Sequence, residues 1–190
     1  MYKVLITIII IFSSFKYANA QIAETLQVNS AISYTNKCRV EYAHIDKEIT
    51  KIYQYLPKNK WKGIITIARG GLYPALILAH KLDINKMDLI SLTSYYKDKA
   101  QGDIKLLQDF NFNNKNQGEG WIVVDDLVDS GKTIKWLNQY LPKAYYIVVY
   151  AKPRGAKLVD KHGMKIPQTT WITFPWDNEF SLEIPECIAL

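Results

Sequence analysis

Trp121-Ile122-Val123-Val124 is an unbroken run of large apolar residues, closed by Asp125-Asp126. A strand with one wet face alternates apolar and polar side chains, so a continuous run implies burial on both faces and a sheet covered on both sides. Related segments recur. Residues 63–68 form a β-branched run that ends in Arg69-Gly70-Gly71 and leads into a helix over 74–82, with Pro74 in its first turn. Residues 88–94, 144–150 and 170–174 read as further strands, and 133–140 as a helix. Over 38–56 the positions Val40, Ala43, Ile45, Ile49, Ile52 and Leu56 recur at spacings near three and four, which predicts an amphipathic helix. Strands alternating with helices predict an α/β fold, a mostly parallel central sheet flanked by helices. Ligands then sit at the carboxyl ends of the strands, where Arg69, residues 125–133 and Lys152 fall. The polar stretch 95–105 lacks apolar periodicity and is expected to be a mobile loop.

A chain of 190 residues with 48% hydrophobic and 22% charged residues can bury one sizeable core, which argues for one domain and against disorder. The formal charge of +6 suits a protein that handles phosphates, and equally one that touches nucleic acid or an anionic membrane. Cys38 and Cys187 lie near opposite ends and form no CxxC or Cys/His cluster, so neither a zinc site nor a disulfide framework is expected, and both are read as reduced. Residues 1–20 stand apart. An apolar run from Val4 to Phe12 follows Met1-Tyr2-Lys3, and Ala18-Asn19-Ala20 has the form of a signal-peptidase site. The readings are an exported protein, an uncleaved anchor, or a start codon placed too early. Loss of this segment, with Lys3 and Lys16, would lower the charge from +6 to +4. Residues 21–33 read as a linker and 34–190 as the domain.

The chemistry concentrates in Asp125-Asp126-Leu127-Val128-Asp129-Ser130-Gly131-Lys132-Thr133. Backbone N–H groups of the turn can hold a phosphate, helped by the Ser130 and Thr133 hydroxyls and the Lys132 charge. Carboxylates at the strand end can hold ribose hydroxyls, directly or through Mg²⁺. Ser130-Gly131-Lys132-Thr133 is like the end of a nucleoside-triphosphate P-loop, but that pattern needs glycine five residues before Gly131, where Asp126 stands. A kinase or ATPase is disfavoured.

Residues 123–133 resemble the phosphoribosyl-pyrophosphate (PRPP) signature of type I phosphoribosyltransferases. Trp61-Lys62-Gly63, Arg69-Gly70-Gly71-Leu72-Tyr73-Pro74, Gly118-Glu119-Gly120, Leu141-Pro142-Lys143-Ala144, Ala151-Lys152-Pro153, Thr170-Trp171-Ile172 and Pro175-Trp176-Asp177 resemble the bacterial xanthine-guanine enzymes, in the same order. The resemblance runs from about Tyr34 to Asp177. It implies the type I fold with a flexible hood loop over 94–105, and a purine-salvage pentosyltransferase that converts guanine, xanthine and hypoxanthine with PRPP to the nucleoside monophosphate (GMP, XMP) and pyrophosphate. By the same resemblance Arg69 and Gly70 form the pyrophosphate loop, with a non-proline cis peptide at Ala68–Arg69. Arg69 and Asp129 are the catalytic residues, residues 125–133 bind PRPP, Asp126 is linked to Mg²⁺, and Asp125 meets the ribose hydroxyls. Asp129 also faces N7 of the purine, Lys152 donates to the 6-oxo group, and Trp171 and Ile172 cover the base. The hood places Gly102 where the family has an arginine, leaving Lys97, Lys99 or Lys105 for that task. A homotetramer, peripheral association with the inner face of the membrane, cytoplasmic catalysis and no nucleic-acid partner are further implications. The alternatives are a hypoxanthine-preferring enzyme and a non-catalytic regulator on the same fold.

Overall fold

The protein is described here by a computed structural model that covers residues 34–58, 61–97, 100–108 and 110–187, with side chains at all of these except 94–103 and 114. The signal-like segment 1–20 and the linker 21–33 lie outside the described residues. The elements run β1 (Asn36–Arg39), α1 (Tyr42–Gln54), β2 (Gly63–Ala68), α2 (Leu72–Leu82), β3 (Met87–Lys97), β4 (Ala100–Leu106), a 3-10 segment (Phe112–Gly118), β5 (Trp121–Val128), α3 (Lys132–Leu137), β6 (Tyr145–Ala151), α4 (Pro153–Ala156), β7 (Lys161–Lys165) and β8 (Thr170–Thr173).

Six strands form the main sheet in the order β4-β3-β2-β5-β6-β7. Every neighbouring pair is parallel except β3 with β4. The chain winds outward from β2 to β3 on one side and from β5 through β6 to β7 on the other, so β2 and β5 flank the point where the winding reverses. Loops on either side of such a point diverge and leave a crevice. The continuous apolar runs are buried on both faces as expected. Ile64, Ile122 and Val124 pack with Ile45, Ile49, Ala75 and Leu78 of α1 and α2, while Ile65, Ile67 and Val123 pack with Ile134 and Leu137 of α3.

A second, two-stranded sheet pairs β1 in parallel with β8, Cys38 opposite Ile172. Residues 38 and 39 thus belong to a strand, and the helix predicted from residue 38 begins only at Tyr42. Strand pairing outcompetes the helical spacing there, because β8 offers β1 a row of backbone partners. The C-terminal segment lies on the other side of β1, where Arg39 N donates to Pro185 O and Cys187 N donates to Arg39 O. Here the expectation of two reduced cysteines fails. Cys38 and Cys187 form a disulfide across 149 residues, with Cα atoms 5.0 Å apart. Folding brings residues 38 and 187 to one strand edge, which spacing along the sequence cannot reveal. Arg39 reinforces the junction through Glu41 and, at 2.9 Å, Glu186.

The stretch read as a loop over 95–105 is largely an antiparallel pair, β3 with β4, Leu92 opposite Leu106 and Lys97 opposite Ala100. Asp98 and Lys99 lie outside the described residues. Strand β5 also extends further than its apolar run, because Asp125, Leu127 and Val128 keep their register with Val148, Tyr150 and Ala151. The acids therefore stand on a strand end held by β6 rather than in a free turn.

Candidate active site

The carboxyl ends of β2 and β5 face one open cleft of about 270 Å³. Its walls are Ile67 and Ala68 from β2, residues 127–134 and Asp125 from β5 and the turn to α3, and Leu92, Thr93 and Ile104 from the root of the hood. Gly131 turns the chain at φ +78°, a conformation that disfavours a side chain, and a Cβ there would come 2.2 Å from Leu158 Cδ1. That turn presents Ser130, Lys132 and Thr133 to the cleft beside Asp129.

Arg69 follows β2 directly, and the Ala68–Arg69 peptide is cis, as the resemblance implied. Gly70 packs against Asp126 so closely that a Cβ would lie 2.0 Å from Asp126 Oδ2. The Arg69-Gly70 segment and the acidic pair are therefore one unit, built from adjacent strand ends. Asp125 and Asp126 are partly buried side by side, and Asp125 Oδ1 accepts from the Asp126 backbone N–H at 3.0 Å. Burial pushes the Asp125 carboxyl well above the ordinary range, with the neighbouring Asp126 charge adding to it. Burial likewise raises Asp126, to about 6, and the Asp177 charge acts in the same direction. Two crowded carboxyls that resist ionisation in isolation suit a site filled by a hard cation, whose charge restores the ionised form. Among the described residues no three His, Cys, Asp or Glu side chains gather to hold an ion unaided. An ion at Asp126 would share its shell with water and phosphate oxygens, as Mg²⁺ commonly does.

Asp129, which lines the cleft, pairs behind it with Lys152 at a second end of the site. Lys152 follows β6, is 1% exposed, and donates from Nζ to Asp129 Oδ2 at 2.8 Å. A buried ammonium needs such a partner, since an unpaired charge there would forfeit its hydration. Its backbone N–H donates to Val128 O at 2.9 Å, fixing the distance between the β6 and β5 ends. Trp171 is 43% exposed on β8, whereas its neighbour Ile172 is buried in the core. Trp171 meets the edge of Tyr34 at 5.0 Å between ring centroids, and the Tyr34 ring lies 4.5 Å from Lys152 Nζ. The predicted base-side residues Asp129, Lys152 and Trp171 are thus joined around one aromatic ring.

Two residues of this end were not read from the sequence. Tyr34 Oη donates to Asp129 Oδ2 at 2.6 Å, and Gln168 Nε2 donates to Asp129 Oδ1 at 2.5 Å. Both sit in polar segments without periodicity, and nothing local marks them. Of the hood lysines, Lys105 is exposed on β4, the side chain of Lys97 is outside the described residues, and so is Lys99 altogether.

Comparison with known proteins agrees with this geometry. The phosphoribosyl transferase domain model matches residues 36–181. The xanthine-guanine phosphoribosyltransferase of Desulfotalea psychrophila is 43% identical over 133 residues, covering 70% of this chain and 81% of that protein. The enzyme of the same description from Nitratidesulfovibrio vulgaris is 42% identical over 133 residues, covering 70% and 79%. Among solved structures, the purine phosphoribosyltransferase of Pyrococcus horikoshii superposes with a TM-score of 0.63 at 24% identity, covering 78% of this chain and 99% of that one. The xanthine-guanine-hypoxanthine phosphoribosyltransferase of Helicobacter pylori gives 0.56 at 19% identity, covering 74% and 92%. These two identities speak for the fold. The domain match and the sequence relatives speak for the family, and with a cleft that joins an acidic strand end to a phosphate-ready turn, the chain belongs to the phosphoribosyltransferase family.

Proposed function

We propose that the chain transfers the 5-phosphoribosyl group of PRPP to a ring nitrogen of guanine, xanthine or hypoxanthine, releasing pyrophosphate. The observation that carries this reading is the Asp129–Lys152 pair at 2.8 Å beside the phosphate-ready turn. An ammonium only donates, so Lys152 favours a 6-oxo group over the 6-amino group of adenine. Asp129 would take the proton that the base loses at N7 as its other ring nitrogen attacks C1 of the ribose.

The remaining residues position and neutralise. Arg69 and the backbone of Gly70 receive the pyrophosphate, while residues 127–133 hold the 5-phosphate and Asp125 the ribose hydroxyls. Asp126 would hold Mg²⁺, which when bound supplies positive charge to the leaving pyrophosphate. The transition state is cation-like at the ribose, and the hood formed by β3 and β4 would close over it to exclude water. Trp171 covers the face of the base. Catalysis in this scheme comes from geometry and charge rather than from a covalent intermediate.

Pyrophosphate release measured with PRPP and Mg²⁺ against guanine, xanthine, hypoxanthine and adenine tests the reading. Turnover with the three oxopurines and none with adenine is expected. Turnover with hypoxanthine alone would favour the narrower enzyme, and no release with any base would leave the regulator.

Assembly as a homotetramer and peripheral membrane association belong to the same proposal, and light scattering and vesicle sedimentation test them. Among the described residues no helix is long and apolar enough to cross a membrane. Supply of PRPP argues for cytoplasmic catalysis. The Cys38–Cys187 disulfide favours a second reading, an oxidising compartment reached through the signal-like segment. The N-terminal residue of the native protein, with thiol trapping in intact cells, decides between them.

A further inference from the structure

The two oxygens of the Asp129 carboxylate are employed differently. Oδ2 accepts from Lys152 Nζ at 2.8 Å and from Tyr34 Oη at 2.6 Å, and so faces the space shared by the ammonium and the aromatic ring. Oδ1 accepts from Gln168 Nε2 at 2.5 Å, on the side of the segment joining β7 to β8. Gln168 cannot be reversed in this setting. Its Oε1 accepts from the backbone N–H of Arg154 at 3.0 Å, and because an N–H can only donate, the amide nitrogen is forced toward Asp129. Arg154 lies in α4, the short helix that begins immediately after Lys152. One side chain therefore ties the turn that carries the base-reading lysine to the acid at the end of β5.

We infer that Gln168 is a positioning residue of the transfer reaction, holding Oδ1 of Asp129 so that Oδ2 alone meets the purine. The inference rests on the reading of Asp129 as the carboxylate that faces the base. The terminal torsion of a carboxylate is broad, so an unheld Asp129 would offer either oxygen at a range of angles. A proton acceptor has to stand within hydrogen-bond reach of the proton it takes, in a defined direction. Gln168 removes that freedom from a side that the base does not need. The Tyr34 hydroxyl occupies Oδ2 as a purine N–H would, so base entry exchanges one donor for another at this oxygen. The Gln168 contact persists through the exchange. Lys152 cannot substitute for it, because its bond is made to Oδ2, the oxygen that has to remain available.

Gln168→Glu tests this with little change of shape. The new carboxylate still accepts from Arg154 N–H but has no donor for Asp129 and sets a like charge beside it, offset in part by the Lys152 ammonium, whereas Gln168→Leu loses both contacts without adding charge. In the pyrophosphate-release assay Gln168→Glu is expected to lower kcat/KM for guanine on the order of 10- to 100-fold. Its KM for PRPP should stay within about twofold, because the pyrophosphate and phosphate contacts are untouched. Its melting midpoint should stay within about 3 °C of the wild type, a loss of no more than roughly 1 kcal/mol. Wild-type kcat/KM for guanine in Gln168→Glu overturns the inference even if Gln168→Leu is impaired, since the Arg154 contact alone would then explain the residue. Equal losses toward guanine and PRPP with a lowered melting midpoint overturn it too, by showing a purely structural role. A wild-type chain that releases no pyrophosphate with any base removes the reading beneath the inference, and the inference with it.

Discussion

A methyl group added at Gly70 or at Gly71 meets obstacles of different kinds. At Gly70 the new Cβ would lie 2.0 Å from Oδ2 and 2.3 Å from Cγ of Asp126, and at Gly71 it would lie 2.4 Å from Val124 O and 2.7 Å from Ile67 O. Ordinary van der Waals contact is about 3.5 Å, so each substitution demands a displacement of roughly 1 Å or more. The Asp126 side chain is partly exposed and can turn to another rotamer. The two carbonyls cannot turn, because they belong to β2 and β5, whose register is fixed from Gly63 opposite Trp121 to Thr66 opposite Val124. Gly70→Ala is thus expected to spare the fold and damage the site, and Gly71→Ala to damage the fold.

The magnitudes follow from those displacements. Misplacing a reacting group by about 1 Å costs on the order of 100-fold, so kcat/KM for PRPP should fall by about that factor in Gly70→Ala, with a melting midpoint within ~3 °C of wild type. Overpacking against rigid backbone costs about 3 kcal/mol, which lowers the midpoint of Gly71→Ala by roughly 6–12 °C. Initial rates of pyrophosphate release over a PRPP titration, together with calorimetric melts, separate the two effects. Gly70→Ala with kcat/KM for PRPP within threefold of wild type would refute the placement of Asp126 at the reacting pole. A Gly70→Ala melt as low as that of Gly71→Ala would refute the contrast between a side chain that yields and a backbone that does not.

Three further outcomes are expected. Asp126 has its folded pKa raised to about 6, above the ordinary carboxylate range near 4, so its protonation stabilises the ligand-free fold at low pH and that contribution is lost as pH rises through about 6. Asp126→Asn does not titrate there, so without divalent ions or PRPP its midpoint should rise relative to wild type between about pH 4 and pH 7, and a constant difference would contradict the assigned shift. Cys38→Ser with Cys187→Ser opens a loop spanning 149 residues, for which chain entropy gives at most ~5 kcal/mol and native bridges typically ~2–4, hence a melt lower by roughly 5–15 °C. The same fall should follow reduction of the wild type, and an unchanged melt under reduction would show that the bridge is not formed in solution. Lys152→Met removes the ammonium proposed to donate to the 6-oxo group, so kcat/KM for guanine should fall by about 100-fold or more while KM for PRPP stays within about twofold, and an unchanged kcat/KM for guanine would dismiss Lys152 as the base-reading residue.

The parts of the molecule legible in the sequence are those whose physics is local. Residues 63–82 declare a strand, a glycine turn and a helix because burial on both faces demands a continuous apolar run and Pro74 suits a first helical turn. The segment 125–133 is equally plain, since cradling a phosphate takes consecutive backbone N–H groups beside fixed charges. Strand β7, Lys-His-Gly-Met-Lys, carries no such mark and becomes a strand only through its pairing with Ile147, Val148, Tyr150 and Ala151 of β6. The Cys38–Cys187 bridge and the β1 strand depend on partners more than 130 residues away in the sequence, β8 and Cys187. The same division runs through the site. The phosphate turn, residues 125–133, is contiguous, whereas the proposed base end is assembled from Asp129 on the turn after β5, Lys152 after β6, Gln168 before β8 and Tyr34 before β1. Each of these four side chains owes its place to a different strand end, and single substitutions there need not disturb the phosphate turn. The fold thereby separates the turn suited to a phosphate, written in one stretch of chain, from the cluster around Asp129, gathered from four, and it is the gathered one that sequence pattern alone leaves incomplete.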